Sequence, residues 1–219
     1  MGAQNINNRQ CVIVSAGEIL DYRKAAEEIL PGAFILCADG GYGHCGQLGV
    51  HPDLLMGDFD SITEPLPPEV PVIALPQEKN YTDTTLAIAK ARELGFTNLL
   101  LLGMLGGRLD HALANLQELC GCARRGLQAR ITDGRTSVYA LAALQNPASI
   151  TVAPLNRHYF SLLAMSGICE GVTIRGGAYP LEEYTLLGDT PRAVSNEFKG
   201  EPVNIFLKQG VLLVVVTPM

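Results

Sequence analysis

Leu54-Leu55-Met56-Gly57-Asp58-Phe59-Asp60-Ser61 is the stretch whose reading decides the fold. A short apolar run ends in a glycine and then in two carboxylates at i and i+2, the pattern of a strand covered on both faces that opens onto a polar rim. In extended backbone, residues two apart project to the same side, roughly 6–7 Å from one another, so Asp58 and Asp60 can reach one hydrated Mg2+ or a pair of them. Ligands of open α/β sheets bind beyond the carboxyl ends of the strands, where this motif would lie. Read alone, the same residues also fit a solvated turn in which Asp60 caps a helix.

Working outward, three more segments repeat the arrangement. Cys37-Ala38-Asp39-Gly40-Gly41 puts an acid and two glycines directly after a buried run. Gly40 and Gly41 would let the backbone approach a phosphate, and a following helix would add free N–H groups and a favourable dipole. Asn80-Tyr81-Thr82-Asp83-Thr84, preceded by Lys79, opens a helix with an acid that either serves the helix dipole alone or completes a metal site with Asp58 and Asp60. Gly103-Met104-Leu105-Gly106-Gly107-Arg108-Leu109-Asp110-His111 follows a strongly apolar run. There Arg108 offers a cation to phosphate oxygens and Asp110 an acid for metal or proton transfer, unless the two merely pair with each other. A shared rim explains four acid-bearing strand ends better than packing does.

Between these segments the first two thirds of the chain alternate apolar runs with helical patterns, as in a mostly parallel sheet with helices on both faces. Expected strands are Cys11–Ser15, Phe34–Ala38, Asp53–Met56, Val72–Leu75, Asn98–Gly103 and Ala129–Thr132. One helix should begin at Thr82 or Asp83, turn Leu86, Ile88 and Ala89 inward and stop at Gly95, and another should run from about Leu109 to Arg125. After Ser137 short strand-like pieces take over: Ser149–Val152, Tyr159–Ala164, Gly171–Arg175, Val203–Leu207 and Val211–Thr217. The expected organisation is an α/β nucleotide-binding domain over residues 1–143, a hinge at Leu144-Gln145-Asn146-Pro147, and a smaller all-β sandwich domain over 148–219.

Bulk properties narrow the function. The 219 residues are 47% hydrophobic and 17% charged, enough for a packed core and far from a disordered composition. A net charge of −6 gives no electrostatic footprint for nucleic acid or an anionic membrane, and suits a small or cationic ligand better. No window approaches the ~20 apolar residues of a membrane span, and the polar start MGAQNINNRQ lacks a secretory core, so a cytosolic protein is expected. Of the six cysteines, Cys11 and Cys37 fall in strand-like runs and Cys120 and Cys122 in a helical pattern, which reads as small buried hydrophobes. A C-x-C pair without a second His/Cys cluster is weak ground for zinc.

Asp39-Gly40-Gly41, Gly57-Asp58-Phe59-Asp60-Ser61, Thr82-Asp83 and Gly106-Gly107-Arg108-Leu109-Asp110-His111 with Asn115 one turn on, in this order, closely resemble thiamine pyrophosphokinase. The likeness extends to Tyr179-Pro180-Leu181, Ser195-Asn196-Glu197-Phe198 and the strand from Gly210 to Val216, which are similar to that family's thiamine-binding β domain. The resemblance implies transfer of the terminal diphosphate of ATP to the hydroxyethyl group of thiamine, giving thiamine diphosphate and AMP, by a homodimer with thiamine near the subunit interface. It also implies that Asp58, Asp60 and Asp83 hold Mg2+ and the phosphates, and that Asp39, Gly40, Gly41 and Arg108 face ATP. Asp110 would complete the acidic cluster, and Ser195 and Asn196 would face the thiamine pyrimidine. The chain departs from the family's pattern at Tyr42-Gly43-His44 after the first glycine pair, at Asn80, and in having no tryptophan, so ring stacking on the substrate would fall to a residue such as Tyr179.

Charge neutralisation and alignment are the physical tasks of such a reaction, because a primary alcohol must attack a highly anionic diphosphate. Asp83 or Asp110 could accept the alcohol proton. A second enzyme reading, a different D-x-D nucleotide transferase or metal-dependent phosphatase, leaves Ser195 and Asn196 without a task. It also lacks a nucleophilic acid after Cys11–Ala16. A reading of another class is a thiamine or nucleotide sensor that keeps the fold without turnover, and AMP formation separates it from the enzyme.

Overall fold

A computed structural model of the chain describes residues 9–59, 67–76 and 80–219. It divides into two compact units, Met1–Glu118 with Leu127–Arg135, and Leu119–Gly126 with Thr136–Met219. The first is α/β and the second an antiparallel β sandwich.

The first unit has six strands, β1 (Gln10–Val14), β2 (Phe34–Ala38), β3 (Leu54–Gly57), β4 (Val72–Ala74), β5 (Asn98–Leu102) and β6 (Gln128–Thr132), in the order β6-β5-β1-β2-β3-β4. Every pairing among them is parallel, with Val12 opposite Ile35 on one side and Leu100 on the other. Continuous apolar runs are what such strands require, since both faces are covered. Val12, Val14, Ile35, Cys37, Leu55, Leu100 and Leu102 form one cluster with Ala25 of α1 (Tyr22–Glu27) and Cys45 and Leu48 of α2 (Cys45–Leu48). The alternating residues Ile13 and Leu36 are fully buried and face the other way. There α3 (Asp83–Glu93) packs on β1 and β2. Full burial contributes about 1.5–3 kcal/mol per large aliphatic side chain, so Leu100→Ala, which also leaves a cavity, costs ~2–5 kcal/mol.

Helix α3 begins where the sequence indicates. Thr82 is its N-cap, its Oγ1 accepting the Thr85 N–H at 3.1 Å, and Gly95 follows its end with φ 89°. Its buried face is Thr84, Ala87, Ile88 and Ala91, while Leu86 is half-buried and Ala89 exposed, which corrects the inward placement of Ala89. Positions 84, 87, 88 and 91 follow the i, i+3, i+4, i+7 stripe, and three of the four are small, which lets the helix lie close to the sheet. Helix α4 spans Leu109–Arg124.

The second unit stacks two antiparallel sheets. One has the order β12-β9-β14-β7 and the other β11-β10-β13-β8. The strands are β7 (Ser137–Ala143), β8 (Ala148–Val152), β9 (His158–Ala164), β10 (Ile168–Arg175), β11 (Leu181–Leu187), β12 (Asn196–Glu197), β13 (Val203–Leu207) and β14 (Gly210–Pro218). Phe160, Leu162, Leu212 and Val214 from the first sheet meet Val172, Ile174, Val203 and Ile205 from the second in the sandwich core. β7, β11 and β12 have no counterpart among the expected strands. β7 pairs with the C-terminal β14, Ala143 opposite Gly210, so the stretch 144–147 links two strands of this unit. β11 is irregular because its pairing with β10 shifts register twice.

All six cysteines are buried, and none is in a disulfide. Burial, foremost, pushes the Cys11 thiol up to about 12, so it behaves as a small hydrophobe. No helix among the described residues is long and apolar enough to cross a membrane.

Candidate functional site

Strand order places the first site. β1 lies between β2 and β5, so the chain leaves β1 toward β2, β3 and β4 and returns through α3 to β5 on the other flank. The loops after β1 and β5 therefore stand at the switch point of the sheet, where a crevice opens at its carboxyl edge. A cleft of about 380 Å3 occupies it, lined by Ser15–Gly17, Asp39, Thr82–Thr84, the Gly103–Arg108 loop and the first turns of α4.

Backbone contact holds these loops together. The Gly17 N–H donates to the Gly103 carbonyl at 2.8 Å. A Cβ on Gly103, whose φ is 65°, would sit 2.0 Å from the Ser15 carbonyl oxygen, so only glycine fits. Gly57 does the same for the neighbouring strand: a Cβ there would lie 2.9 Å from the Asp39 Cα, which puts the exit of β3, and with it the start of Asp58, against Asp39. Asp39 itself has φ 47°, a left-handed conformation that aspartate tolerates better than most residues but still at a cost.

Side chains complete the cleft. The Ser15 and Thr84 hydroxyls meet at 3.1 Å and tie the end of β1 to the first turn of α3. The adjacent Asp83 turns one carboxylate oxygen, Oδ1, away from solvent. Asn115 donates from Nδ2 to the Met104 carbonyl at 3.0 Å and fixes the loop between β5 and α4. Arg108 makes a forked pair with Asp110, Nε to Oδ1 at 3.1 Å and Nη2 to Oδ2 at 2.6 Å, and both side chains are largely exposed. The Arg108 hydrogen bond, more than the backbone N–H of His111, holds the Asp110 carboxyl down at about 2.

The structure thus brings Asp39, Asp83 and Arg108 into one cleft. Gly40 and Gly41 follow Asp39 in a 3-10 turn, Asp39–His44, and Asp58 is half-buried beside Asp39 at the exit of β3. Asp60 lies outside the described residues. Asp110 is in the first turn of α4 and is not among the residues lining the cleft. Among the described residues no three His, Cys, Asp or Glu side chains stand close enough together to hold a metal. The carboxylates at the rim, Asp39, Asp58 and Asp83, are nonetheless hard oxygen donors of the kind that Mg2+ takes. Sequence reasoning missed Ser15–Gly17 and Thr84 as parts of this site. Ser15–Gly17 carried the same signal as the other loops, a glycine directly after a buried strand, but no acid.

The second unit has its own cleft, of about 360 Å3, lined by Tyr179, Pro180, Leu181, Arg192, Val194 and Asn196 among others. Tyr179 and Asn196 both line it, whereas Ser195 is not among the lining residues. The Ser195 backbone has φ 58°, and its N–H donates to the Ser161 hydroxyl at 2.9 Å. Asn196 is buried, with 3% of its surface exposed, while Tyr179 is 64% exposed. The Asn196 amide is engaged by backbone: Oδ1 accepts the N–H of Tyr179 at 3.0 Å and of Glu197 at 2.9 Å, and Nδ2 donates to the Tyr179 carbonyl at 2.7 Å.

Comparison with known proteins follows the same division. The family model for the thiamin pyrophosphokinase catalytic domain matches residues 27–131, and the model for the thiamin pyrophosphokinase vitamin B1 binding domain matches residues 149–212. A thiamine pyrophosphokinase of Bacillus subtilis is 27% identical over 173 residues, covering 76% of this chain and 79% of the relative. A crystal structure of thiamine pyrophosphokinase from Bacillus subtilis superposes with a TM-score of 0.84 at 22% identity, over 96% of this chain and 100% of the other. That of thiamin pyrophosphokinase from Geobacillus thermodenitrificans gives 0.80 at 25% identity, over 96% and 98%.

Proposed function

Because the chain belongs to the thiamin pyrophosphokinase family of ATP-dependent diphosphotransferases, we propose that it transfers the terminal diphosphate of ATP to the hydroxyl of thiamine in a Mg2+-dependent reaction. The products are thiamine diphosphate and AMP. The observation that carries the reading is the cleft at the sheet's switch point, where Asp39, Asp83 and Arg108 converge on loops held together by backbone contact.

The thiamine hydroxyl oxygen bonds to the β-phosphorus of ATP, the bond from that phosphorus to the oxygen bridging to AMP breaks, and the alcohol proton passes to a carboxylate or to water. Arg108 offers its guanidinium to the phosphate oxygens and is pre-aligned by Asp110. Asp58, Asp60 and Asp83 would hold Mg2+, which when bound supplies charge neutralisation to the diphosphate. Of the two acids considered as proton acceptors, Asp110 is the poorer, because a carboxyl held at about 2 is a weak base. Asp39, with Gly40 and Gly41, meets the nucleotide side. In the second unit, the cleft bounded by Tyr179 takes thiamine, and its loose phosphoryl-type chemistry needs only that the hydroxyl be delivered in line. We also infer a cytoplasmic homodimer with thiamine near the subunit interface.

Incubation with ATP, Mg2+ and thiamine tests the reading: AMP and thiamine diphosphate should appear in equal amounts, cease on chelation of the metal, and return when Mg2+ is restored. Thiamine binding without AMP under any divalent metal would make the chain a sensor instead.

A further inference from the structure

The segment Gly177–Tyr179 runs along the strand Asn196–Glu197 as a strap rather than a free loop. Gly177 bridges to Phe198, and the Ala178 N–H donates to the Glu197 carbonyl at 2.9 Å. The Asn196 side chain then takes both backbone groups of Tyr179, its N–H on Oδ1 and its carbonyl on Nδ2, and adds the N–H of Glu197 to the same Oδ1. A buried amide with its oxygen accepting twice and its nitrogen already donating at 2.7 Å has its strongest groups committed to the chain itself. The strap is also closely packed at Gly177. A Cβ on Gly177 would stand 2.7 Å from Cζ of the fully buried Phe160 and 3.1–3.2 Å from the Asn196 amide, so the backbone lies directly against both the ring and the clamp.

What the strap carries is one wall of the second cleft. Tyr179, Pro180 and Leu181 follow the clamped residue directly and line that cleft, with the Tyr179 ring left exposed. Resting on the reading that this cleft takes thiamine, we propose that Asn196 is a positioning residue: it sets thiamine affinity by docking the strap that holds Tyr179, Pro180 and Leu181 in place, not by touching thiamine.

A wall that flexes lowers affinity for the substrate it bounds, without altering the chemistry of a nucleotide bound elsewhere. Asn196→Ala should therefore raise the KM for thiamine about tenfold, leave kcat within about twofold and leave the KM for ATP unmoved. Without any substrate, it should also speed hydrogen exchange at the Tyr179 amide, which a ligand role would not do. Gly177→Ala presses a methyl against the Phe160 ring and the Asn196 amide and so disturbs the same strap, while leaving the Asn196 side chain itself in place. It should give the same KM pattern, and the double variant should rise little beyond the larger single effect, because a strap already loosened has little left to lose.

If Asn196 instead contacts thiamine, the two KM effects multiply and the Tyr179 amide stays protected, which overturns the inference while leaving the proposed reaction intact. An unchanged thiamine KM in Asn196→Ala, with the Tyr179 amide deprotected, overturns it as well. Should either variant melt below the assay temperature, the other carries both readouts. Failure of the unaltered enzyme to turn over thiamine sinks the substrate reading itself and the inference with it, and is seen before any variant is made.

Discussion

The two clefts are built by opposite means. In the first unit the walls are strand ends, set by a parallel sheet and locked by close backbone approaches at Gly103 and Gly57, with polar side chains added at the rim. In the second the wall is a strap, Gly177–Tyr179, joined to its neighbour by the Gly177–Phe198 bridge and one backbone hydrogen bond and clamped at Tyr179 by one buried side chain. A cleft made of backbone tolerates the loss of a side chain as architecture and loses only chemistry. A cleft hung on a side chain loses its shape. If the nucleotide occupies the first and thiamine the second, substitutions in the two should fail in different kinetic parameters.

The largest effect tests the first half of that contrast. Asp83→Asn should lower turnover by roughly 100- to 1,000-fold, since it removes a carboxylate that lines the cleft proposed to handle the diphosphate charge. The fold should survive: Thr82 still caps α3, and the lost helix-dipole interaction is worth only ~0.3–1 kcal/mol. Thiamine affinity measured by calorimetry should stay within about twofold. A parallel collapse of thiamine affinity, or of the melting temperature, would break the separation between a chemical cleft and a shape-bearing one.

Arg108→Ala should act next most strongly and sharpen the contrast on the nucleotide side. A hydrogen bond to a charged group is worth about 1.5–3 kcal/mol, so kcat/KM for ATP should fall on the order of 10- to 150-fold with the thiamine KM unmoved. Lysine at this position should rescue only in part, because it cannot reproduce the fork that Arg108 makes with Asp110. Steady-state kinetics with each substrate varied in turn would expose a mistake: a shift confined to thiamine would detach Arg108 from ATP.

The contrast also explains what could be read from the sequence. The first cleft is written locally, because each of its loops begins where an apolar run stops: Met56 to Asp58, Ala38 to Asp39, Leu102 to Gly103. Strand period and turn chemistry suffice to find such points. The helix start at Thr82 was equally visible, yet of the inward face of α3 only Ile88 was, since Thr84 and Ala87 do not stand out as core residues until the sheet is there to receive them. In the sandwich the information is distant. Ser137–Ala143 becomes a strand by pairing with Gly210–Val216, more than sixty residues away, and its own sequence carries no marker of that partner. Asn196 could be singled out only by its company, Ser195 and Phe198, and nothing local says that its amide faces Tyr179 rather than a ligand. The bulged register of β11 against β10 erased the alternation that would have marked Leu181–Leu187.

The smallest effect concerns Asp110, the acid that the sequence groups with the others and the structure gives to Arg108. Its carboxyl, held at about 2 chiefly by the Arg108 hydrogen bond, is ionised at any pH where the enzyme would work. A depressed carboxyl stabilises the folded chain above its unfolded value, and that contribution is lost as pH falls toward about 2. Both side chains being exposed, salt screens the pair, and the melting temperature of Asp110→Asn should barely differ from that of the unaltered protein. The pH profile is the decisive measurement. If Asp110 only aligns Arg108, Asp110→Asn should lower kcat/KM for ATP a few-fold at every pH and leave the acidic limb of the profile where it was. If Asp110 accepts the alcohol proton, its removal should erase the inflection of the acidic limb and cut turnover at least about 100-fold, which would return it to the group of acids at the rim.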